Sequence, residues 1–319
     1  MKPSLSSRAA VIILALVAAS QINAAPAPEG LFAPGIKRVV FLGDSITYSG
    51  RYVAYVTAYQ RARFPASAVE ILNLGLSSET VSGLSELGHA GGKFPRPDLH
   101  ERLARVLDKT KPDLVFACYG MNDGIYEPFD EQRFKAFRDG IVRLRTEVQR
   151  TGARIVHVTP PVFDEVKGGH PGYTEVLDRY SAWLIAQRTN GWDVVDLHFP
   201  MKDYLAKQRV QDAKFALSRD GIHPGELGHW LMAQPILLHL GAREAATASS
   251  GEALLEKFPN GDESLRVALM DMARWRDAWL TATGHKRPGV KSGELIEINP
   301  LTGKARFLTN AVGQRAKQP

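Results

Sequence analysis

Cysteine is almost absent from this 319-residue chain: Cys118 stands alone, which rules out an internal disulfide and any paired-cysteine metal site. A chain of this length buries enough surface to fold without cross-links. Cys118 itself lies in the apolar run LVFACYG and reads as a buried, inert thiol. Long hydrophobic runs are as scarce. The only strong one, Ala9–Ala19, is too short to span a bilayer as a helix. Lys2 and Arg8 precede it, and the small residues Ala24 and Ala25 follow, the pattern of a cleaved export signal over residues 1–24. Cutting after Ala24 avoids leaving Pro26 first. The alternative, a retained membrane anchor, is disfavoured by the shortness of the run. The expectation is a secreted or periplasmic protein with no stable membrane insertion. HExxH and GxxxxGK[ST] are both missing, so neither a metal nor another cofactor is called for. No block of one charge sign stands out either. The formal charge of +6 falls to +4 once Lys2 and Arg8 are removed, and the surplus is spread along the chain. That distribution gives no footing for a nucleic-acid partner, although it would tolerate acidic polymers or surfaces.

Beyond a short lead at residues 25–36, apolar β-rich runs alternate with amphipathic segments. Strands are expected at Arg38–Leu42, Val69–Leu72, Leu114–Cys118, Arg154–Val158 and Asp193–Val195. Helices are expected near Tyr52–Arg63, Leu99–Lys109, Glu131–Arg150 and Thr174–Thr189, with another after Pro224 that is kinked or interrupted at Pro235. In Glu131–Arg150 the side chains of Phe134, Phe137, Ile141, Leu144 and Val148 share one face. Short apolar strands separated by helices imply an α/β fold with a five-stranded parallel sheet covered on both faces. Right-handed crossovers then carry every strand-to-helix loop to one edge of that sheet. Residues 242–319 look different. Helical patterns at Glu252–Phe258 and Leu265–Leu280 precede a polar tail, and the region reads as a C-terminal helical extension ending in a loop or flexible tail. Trp275 and Trp279 fit the core side of that extension, with sugar stacking as the alternative.

Four loops at the shared edge carry complementary chemistry. The first, in VVFLGDSITYSG, places Ser45 directly after a strand, where ligands of α/β proteins bind. Gly, Asp and Ser are also ordinary turn and helix-cap residues, so this stretch alone does not decide its role. A neutral serine hydroxyl needs a base to act as a nucleophile. The segment SRDGIHPGELGH supplies His223, with Asp220 three residues earlier to orient the imidazole. Loops two and three offer Asn73-Leu74-Gly75 and Gly120-Met121-Asn122-Asp123, sources of a backbone N–H and a side-chain amide for a tetrahedral oxyanion. Each piece has a plain alternative: Asn122-Asp123-Gly124 is a good turn, Gly75 suits a tight turn, and a lone histidine is usually structural. Their ordered coincidence at strand ends is much less readily explained that way.

With these residues in view, the chain from about Lys37 to Leu240 resembles the SGNH, or GDSL-type, serine hydrolases. The resemblance rests on Gly43-Asp44-Ser45, Asn73-Leu74-Gly75, Gly120-Met121-Asn122-Asp123 and Asp220-Gly221-Ile222-His223-Pro224, with isoleucine in the first motif where the family name has leucine. It implies a flavodoxin-like three-layer α/β/α domain over residues 37–241. Ser45 would be the nucleophile, His223 the base and Asp220 its orienter, with an oxyanion hole from the N–H groups of Ser45 and Gly75 and the Asn122 side chain. The nucleophile lacks the GxSxG elbow, which argues against an α/β-hydrolase fold. Asp44 is expected to support its loop by accepting N–H bonds. His89 and His157 are lesser candidates, since the set is complete without them.

The implied activity is ester hydrolysis through an acyl-enzyme. The expected substrate is a small-molecule or polysaccharide ester, foremost an O-acetylated carbohydrate. Tyr119, Tyr126 and Phe129 in loop three could stack on a sugar, or could simply pack. The alternatives are a lysophospholipase, a thioesterase or a general short-chain carboxylesterase. From another class, a non-catalytic carbohydrate-binding protein on a hydrolase scaffold would have no need of all five residues.

Overall fold

The computed structural model describes residues 30–308, so the expected signal segment lies outside the described residues. Five parallel strands form one sheet: β1 (Arg38–Gly43), β2 (Glu70–Asn73), β3 (Leu114–Cys118), β4 (Arg154–Val158) and β5 (Asp193–Val195), in the order β2-β1-β3-β4-β5. Every residue of β1 and β3 is buried, as expected of strands with helices on both sides. The register pairs Phe41 with Asn73 and Gly43 with Cys118, and Cys118 in turn with Val158. β1, β3 and β4 therefore end level with one another, β2 ends two residues earlier, and the order reverses between β1 and β3, the place where such sheets open a crevice.

The first strand runs into a short helix, α1 (Ser45–Ser49), and Gly50 in the left-handed region turns the chain into α2 (Arg51–Arg63). Next come α3 (Leu99–Thr110), α4 (Glu131–Arg150), α5 (Glu165–Gly168), α6 (Tyr173–Ala186), α7 (His198–Gln211) and α8 (Glu226–His239). The α4 stripe is buried at Phe137, Ile141, Leu144 and Val148, as its periodicity requires, while Phe134 is only partly covered. α8 runs as one helix through Pro235, so of the kink or interruption expected there the interruption does not occur. Burial of Trp230, Met232, Ala233, Ile236 and Leu237 holds both halves to the core and outweighs the single backbone bond that proline removes. α7 was not legible. It buries only His198, Met201 and Leu205 and carries Pro200 in its first turn, where proline is tolerated.

Residues beyond α8 form α9 (Gly251–Leu255), α10 (Gly261–Thr283) and a small antiparallel hairpin, β6 (Ile296–Ile298) with β7 (Ala305–Phe307). The tail expected as a loop is thus partly ordered in sheet. α10 lies against α2, α3 and the edge strand β2, covering a strand edge that would otherwise stay open. Trp279 is buried, and Trp275 stacks on Phe307 at 4.1 Å between ring centres. Both border a cavity of about 340 Å³ against α2 and β2, separate from the one that contains Ser45. Cys118 is buried and its Sγ faces the Thr159 carbonyl at 3.6 Å. Burial pushes its thiol pKa well up, so it stays protonated and unreactive. Among the described residues, no helix is long and apolar enough to cross a membrane.

Candidate active site

Asp44 shapes the first loop. Its Oδ1 accepts the Ile46 N–H at 2.9 Å, capping α1 and setting Ser45 at the helix's first position. Burial raises the Asp44 carboxyl to about pKa 7; the Ile46 bond opposes the rise, nearby Asp123 and Glu79 add to it, and His223 opposes it. Across the crevice, Asp220 Oδ1 accepts the N–H groups of Ile222 and His223 at 2.9 and 2.8 Å, folding its loop into a tight turn. Gly221 takes a positive φ of 81° there, and a Cβ on it would meet the backbone of Gly168 at 2.4 Å. The outcome is a linear relay. Ser45 Oγ lies 2.8 Å from His223 Nε2, and His223 Nδ1 lies 2.7 Å from Asp220 Oδ2. A carboxylate can only accept, so Nδ1 carries the proton and Nε2 presents its lone pair to the serine hydroxyl. Burial alone would raise the Asp220 pKa, but the hydrogen bonds from the His223 ring and from the two backbone N–H groups outweigh it and hold the pKa low.

Asn122, buried near the start of loop three, donates from Nδ2 to the Glu79 carbonyl at 3.1 Å, and its Oδ1 accepts the Tyr126 hydroxyl at 3.1 Å. With the amide fixed at both ends, its second N–H is directed by the first. The residue borders the same cavity as Ser45 and His223, a cleft of about 610 Å³. Its supports were not foreseen. Glu79 is fully buried and receives Arg102 through Nε at 2.7 Å and Nη2 at 2.8 Å, while Arg102 Nη2 also reaches the Leu74 carbonyl at 2.7 Å.

The structure does not bring Gly75 to this cavity. Its N–H is spent on Asn73 Oδ1 at 2.9 Å, and Asn73 Nδ2 in turn donates to the Thr47 carbonyl at 2.6 Å. The glycine is required for a different reason: a Cβ there would meet the Tyr48 nitrogen at 2.3 Å and the Thr47 carbonyl carbon at 2.5 Å. Loop two reaches the cleft two and three residues later, at Ser77 and Ser78. The Glu79 N–H bonds the Leu76 carbonyl at 3.2 Å, and Ser78 has a φ of +68° while Ser77 keeps a negative one. These are the marks of a type II turn, whose third position usually holds glycine. A serine held there is strained by about 1–3 kcal/mol, and its sequence gives no sign of the conformation.

Two of the three candidate aromatics also fall elsewhere. Tyr119 is buried and donates to Glu79 Oε2 at 2.7 Å, so it belongs to the support of Asn122. Phe129 packs against Phe134 and lies under the Arg179 guanidinium at 4.1 Å, outside the cleft. Tyr126 does line the cleft, stacked on Tyr173 at 4.9 Å. His89 borders the cleft too, its Nδ1 3.3 Å from Glu86, whereas His157 is buried against Trp192 far along β4. Burial, aided by Arg145, lowers the His157 pKa to about 3. Residues missed in the sequence complete the wall: the Glu86–Arg96 pair, His170, and Arg287 from the segment after α10. Among the described residues, no group of three or more His, Cys, Asp or Glu side chains is placed to hold a metal ion.

The GDSL-like lipase/acylhydrolase family profile matches residues 41–231. An acetylxylan esterase of Geobacillus stearothermophilus is 26% identical over 227 residues, covering 64% of this chain and 94% of the relative. Among solved structures, Axe2, an acetylxylan esterase of the same organism, superposes with a TM-score of 0.50 at 24% identity, covering 66% of this chain and 96% of its own. A gut microbial diltiazem-metabolizing enzyme gives a TM-score of 0.52 at 24% identity over 67% of this chain, which spans about half (49%) of that protein. At this identity the two structures speak for the fold.

Proposed function

Because this chain belongs to the GDSL-like lipase/acylhydrolase family, hydrolases that act on esters, we propose that it is an exported serine esterase that removes O-acetyl groups from carbohydrate. The observation that carries the reading is the Ser45–His223–Asp220 relay, 2.8 and 2.7 Å between successive atoms, opening on the cleft beside Asn122 and Ser78. His223 Nε2 takes the Ser45 proton as Oγ bonds to the ester carbonyl carbon. The tetrahedral oxyanion is held by the N–H groups of Ser45 and Ser78 and by Asn122 Nδ2. Ser45 stands in the first turn of α1, where its N–H has no partner in the helix. The carbon–oxygen bond to the alcohol breaks, the alkoxide leaves with the proton from His223, and a water activated by His223 releases the acid and restores Ser45.

A short acyl group and a hydroxyl-rich alcohol suit a cleft walled by Ser77, Glu86, His89, Arg96, Glu127 and His170. A long acyl chain laid there would strip water from those polar and charged groups, which is costly. The 26% identical relative is named an acetylxylan esterase, which supports the same direction. Export rests on the basic start and apolar run of residues 1–24.

The test is acetate release from acetylated xylo-oligosaccharides set beside fatty-acid release from lysolipids, with Ser45→Ala and Asn122→Ala in parallel. Acetate should be released preferentially. Ser45→Ala should lose essentially all turnover, and Asn122→Ala about two to three orders of magnitude in kcat. A preference for lysolipids would replace the carbohydrate reading by the lipase one. Failure of an organophosphonate to label Ser45, together with no ester turnover by the wild type, would leave only a binding role, whereas full activity in Ser45→Ala would overturn the serine nucleophile.

A further inference from the structure

The peptide between Ser77 and Ser78 is the centre of the Leu76–Glu79 turn, and the turn's own hydrogen bond uses neither its carbonyl nor its N–H. A type I turn keeps the same Leu76–Glu79 bond but rotates the central peptide by about half a turn. Glycine at the third position would favour the type II form by itself. Ser78 does not, because its Cβ disfavours the positive φ it holds. Something outside the turn must therefore select the orientation in which the Ser78 N–H serves the cleft.

That partner comes from the C-terminal extension, outside residues 41–231. Arg287 Nε donates to the Ser77 carbonyl at 3.0 Å. Its guanidinium lies 5.2 Å from the centre of the Phe94 ring, and Phe94 is packed edge-on to His89 at 5.3 Å. Nη1 closes back on the Pro288 carbonyl. Among the described residues Arg287 forms no salt bridge, unlike Arg96, which is neutralised by both oxygens of Glu86. Arg287 is thus held on three sides and presents one charge-assisted donor to one carbonyl. In a trans peptide the C=O and N–H point in opposite directions. Fixing the Ser77 carbonyl on Arg287 fixes the Ser78 N–H facing away from it, and a cation on the carbonyl strengthens the N–H as a donor.

We propose that Arg287 is a positioning residue of the oxyanion site: it locks the Ser77–Ser78 peptide in the orientation that stabilises the tetrahedral intermediate. The proposal rests on Ser78 acting as an oxyanion donor in the esterase reading above. The C-terminal extension then works on catalysis through one hydrogen bond. An alternative use of Arg287, as a direct contact for an anionic substrate group, is weakened by Glu86 and Glu127 in the same wall.

The experiment is steady-state kinetics on 4-nitrophenyl acetate, a small neutral ester, with Arg287→Met, Arg287→Lys, Ser78→Gly and the double variant Arg287→Met/Ser78→Gly. A donor that matters only in the transition state changes kcat and kcat/KM together. Arg287→Met should lower both by about 10- to 100-fold with KM nearly unchanged. Arg287→Lys should fall between, since an ammonium keeps the charge without the planar donor that stacks on Phe94. Ser78→Gly should recover most of the loss in the Arg287→Met background, because glycine holds the turn unaided. A kcat within twofold of wild type in Arg287→Met overturns the proposal. So does a raised KM with unchanged kcat, or a double variant no faster than the single one. If Arg287→Met does not fold, wild-type kcat in Arg287→Lys overturns it, and a reduced kcat rescued by Ser78→Gly in that background supports it. Failure of the esterase reading itself would be seen separately, as full activity in Ser45→Ala.

Discussion

Asp44 shows how one side chain can sit beside a reacting serine and still act mainly on the backbone. It is buried, bonds the Ile46 N–H, and is pushed by burial to about pKa 7. An unfolded aspartate titrates near about pKa 3.9. Between these values the folded chain keeps a proton that the unfolded chain has released, so this group costs stability as pH rises from about 4 to 7. Above that range both states are ionised and the cost stays constant. Asp44→Asn retains a good helix cap and removes the titration. Its stability relative to wild type, measured by urea unfolding, should therefore rise between pH 4 and 7 by an amount on the order of a few kcal/mol and then level off. A difference independent of pH would show that Asp44 is ionised at pH 5 in the folded protein. The residue types at the relay were legible because each has a chemistry of its own: hydroxyl, imidazole, carboxylate. Ser78 was not, since a positive φ leaves no mark on a serine. Tyr119 and Phe129 misled because an aromatic that lines a site looks in sequence like one beneath it or one packed outside it.

At the scale of elements, the placement of α1 against loop two decides where Ser45 stands. β2 continues its ladder past its formal end: the N–H groups of Leu74 and Leu76 bond the carbonyls of Phe41 and Gly43 at 2.8 and 2.9 Å. Asn73 then ties the loop to α1 through the Thr47 carbonyl. At Gly75 the two pass too close together for a Cβ. Gly75→Ala keeps the backbone N–H but places a methyl 2.3 Å from the Tyr48 nitrogen, so α1 must shift and take Ser45 with it. We expect a stability loss of about 1–3 kcal/mol with a lower Tm, together with reduced kcat on any ester. Unchanged Tm and kcat would mean the loop can yield at no cost. The five strands were legible from their short apolar runs, and α4 from its periodic face. α7 escaped because few of its side chains are buried, and so was the β6–β7 hairpin, whose strands are three residues each and half exposed.

Across the whole molecule, the C-terminal extension is tied to the first loop of the sheet. Arg276 is nearly buried on α10, donates from Nη1 to the Tyr48 carbonyl at 2.6 Å, lies 3.7 Å from the centre of the Tyr48 ring, and pairs with Asp277 at 2.7 Å. Arg276→Ala removes a charge-assisted bond to the backbone of α1 and should cost about 1.5–3 kcal/mol of stability, read as a fall in Tm. Because Tyr48 follows Ser45 by one helical turn, kcat should fall as well, and a variant with wild-type Tm would show the contact to be dispensable. By itself the sequence determined the sheet, its parallel order of strand and helix, and the identities of serine, histidine, aspartate and asparagine at its edge. These follow from local apolar patterns and from side chains whose chemistry is intrinsic. Only the tertiary structure decided which loop-two residues border the cleft, which aromatics stay out of it, and that Arg287 reaches it from the far end of the chain. Those outcomes depend on backbone orientation and long-range packing, for which neither residue type nor spacing leaves a local signal.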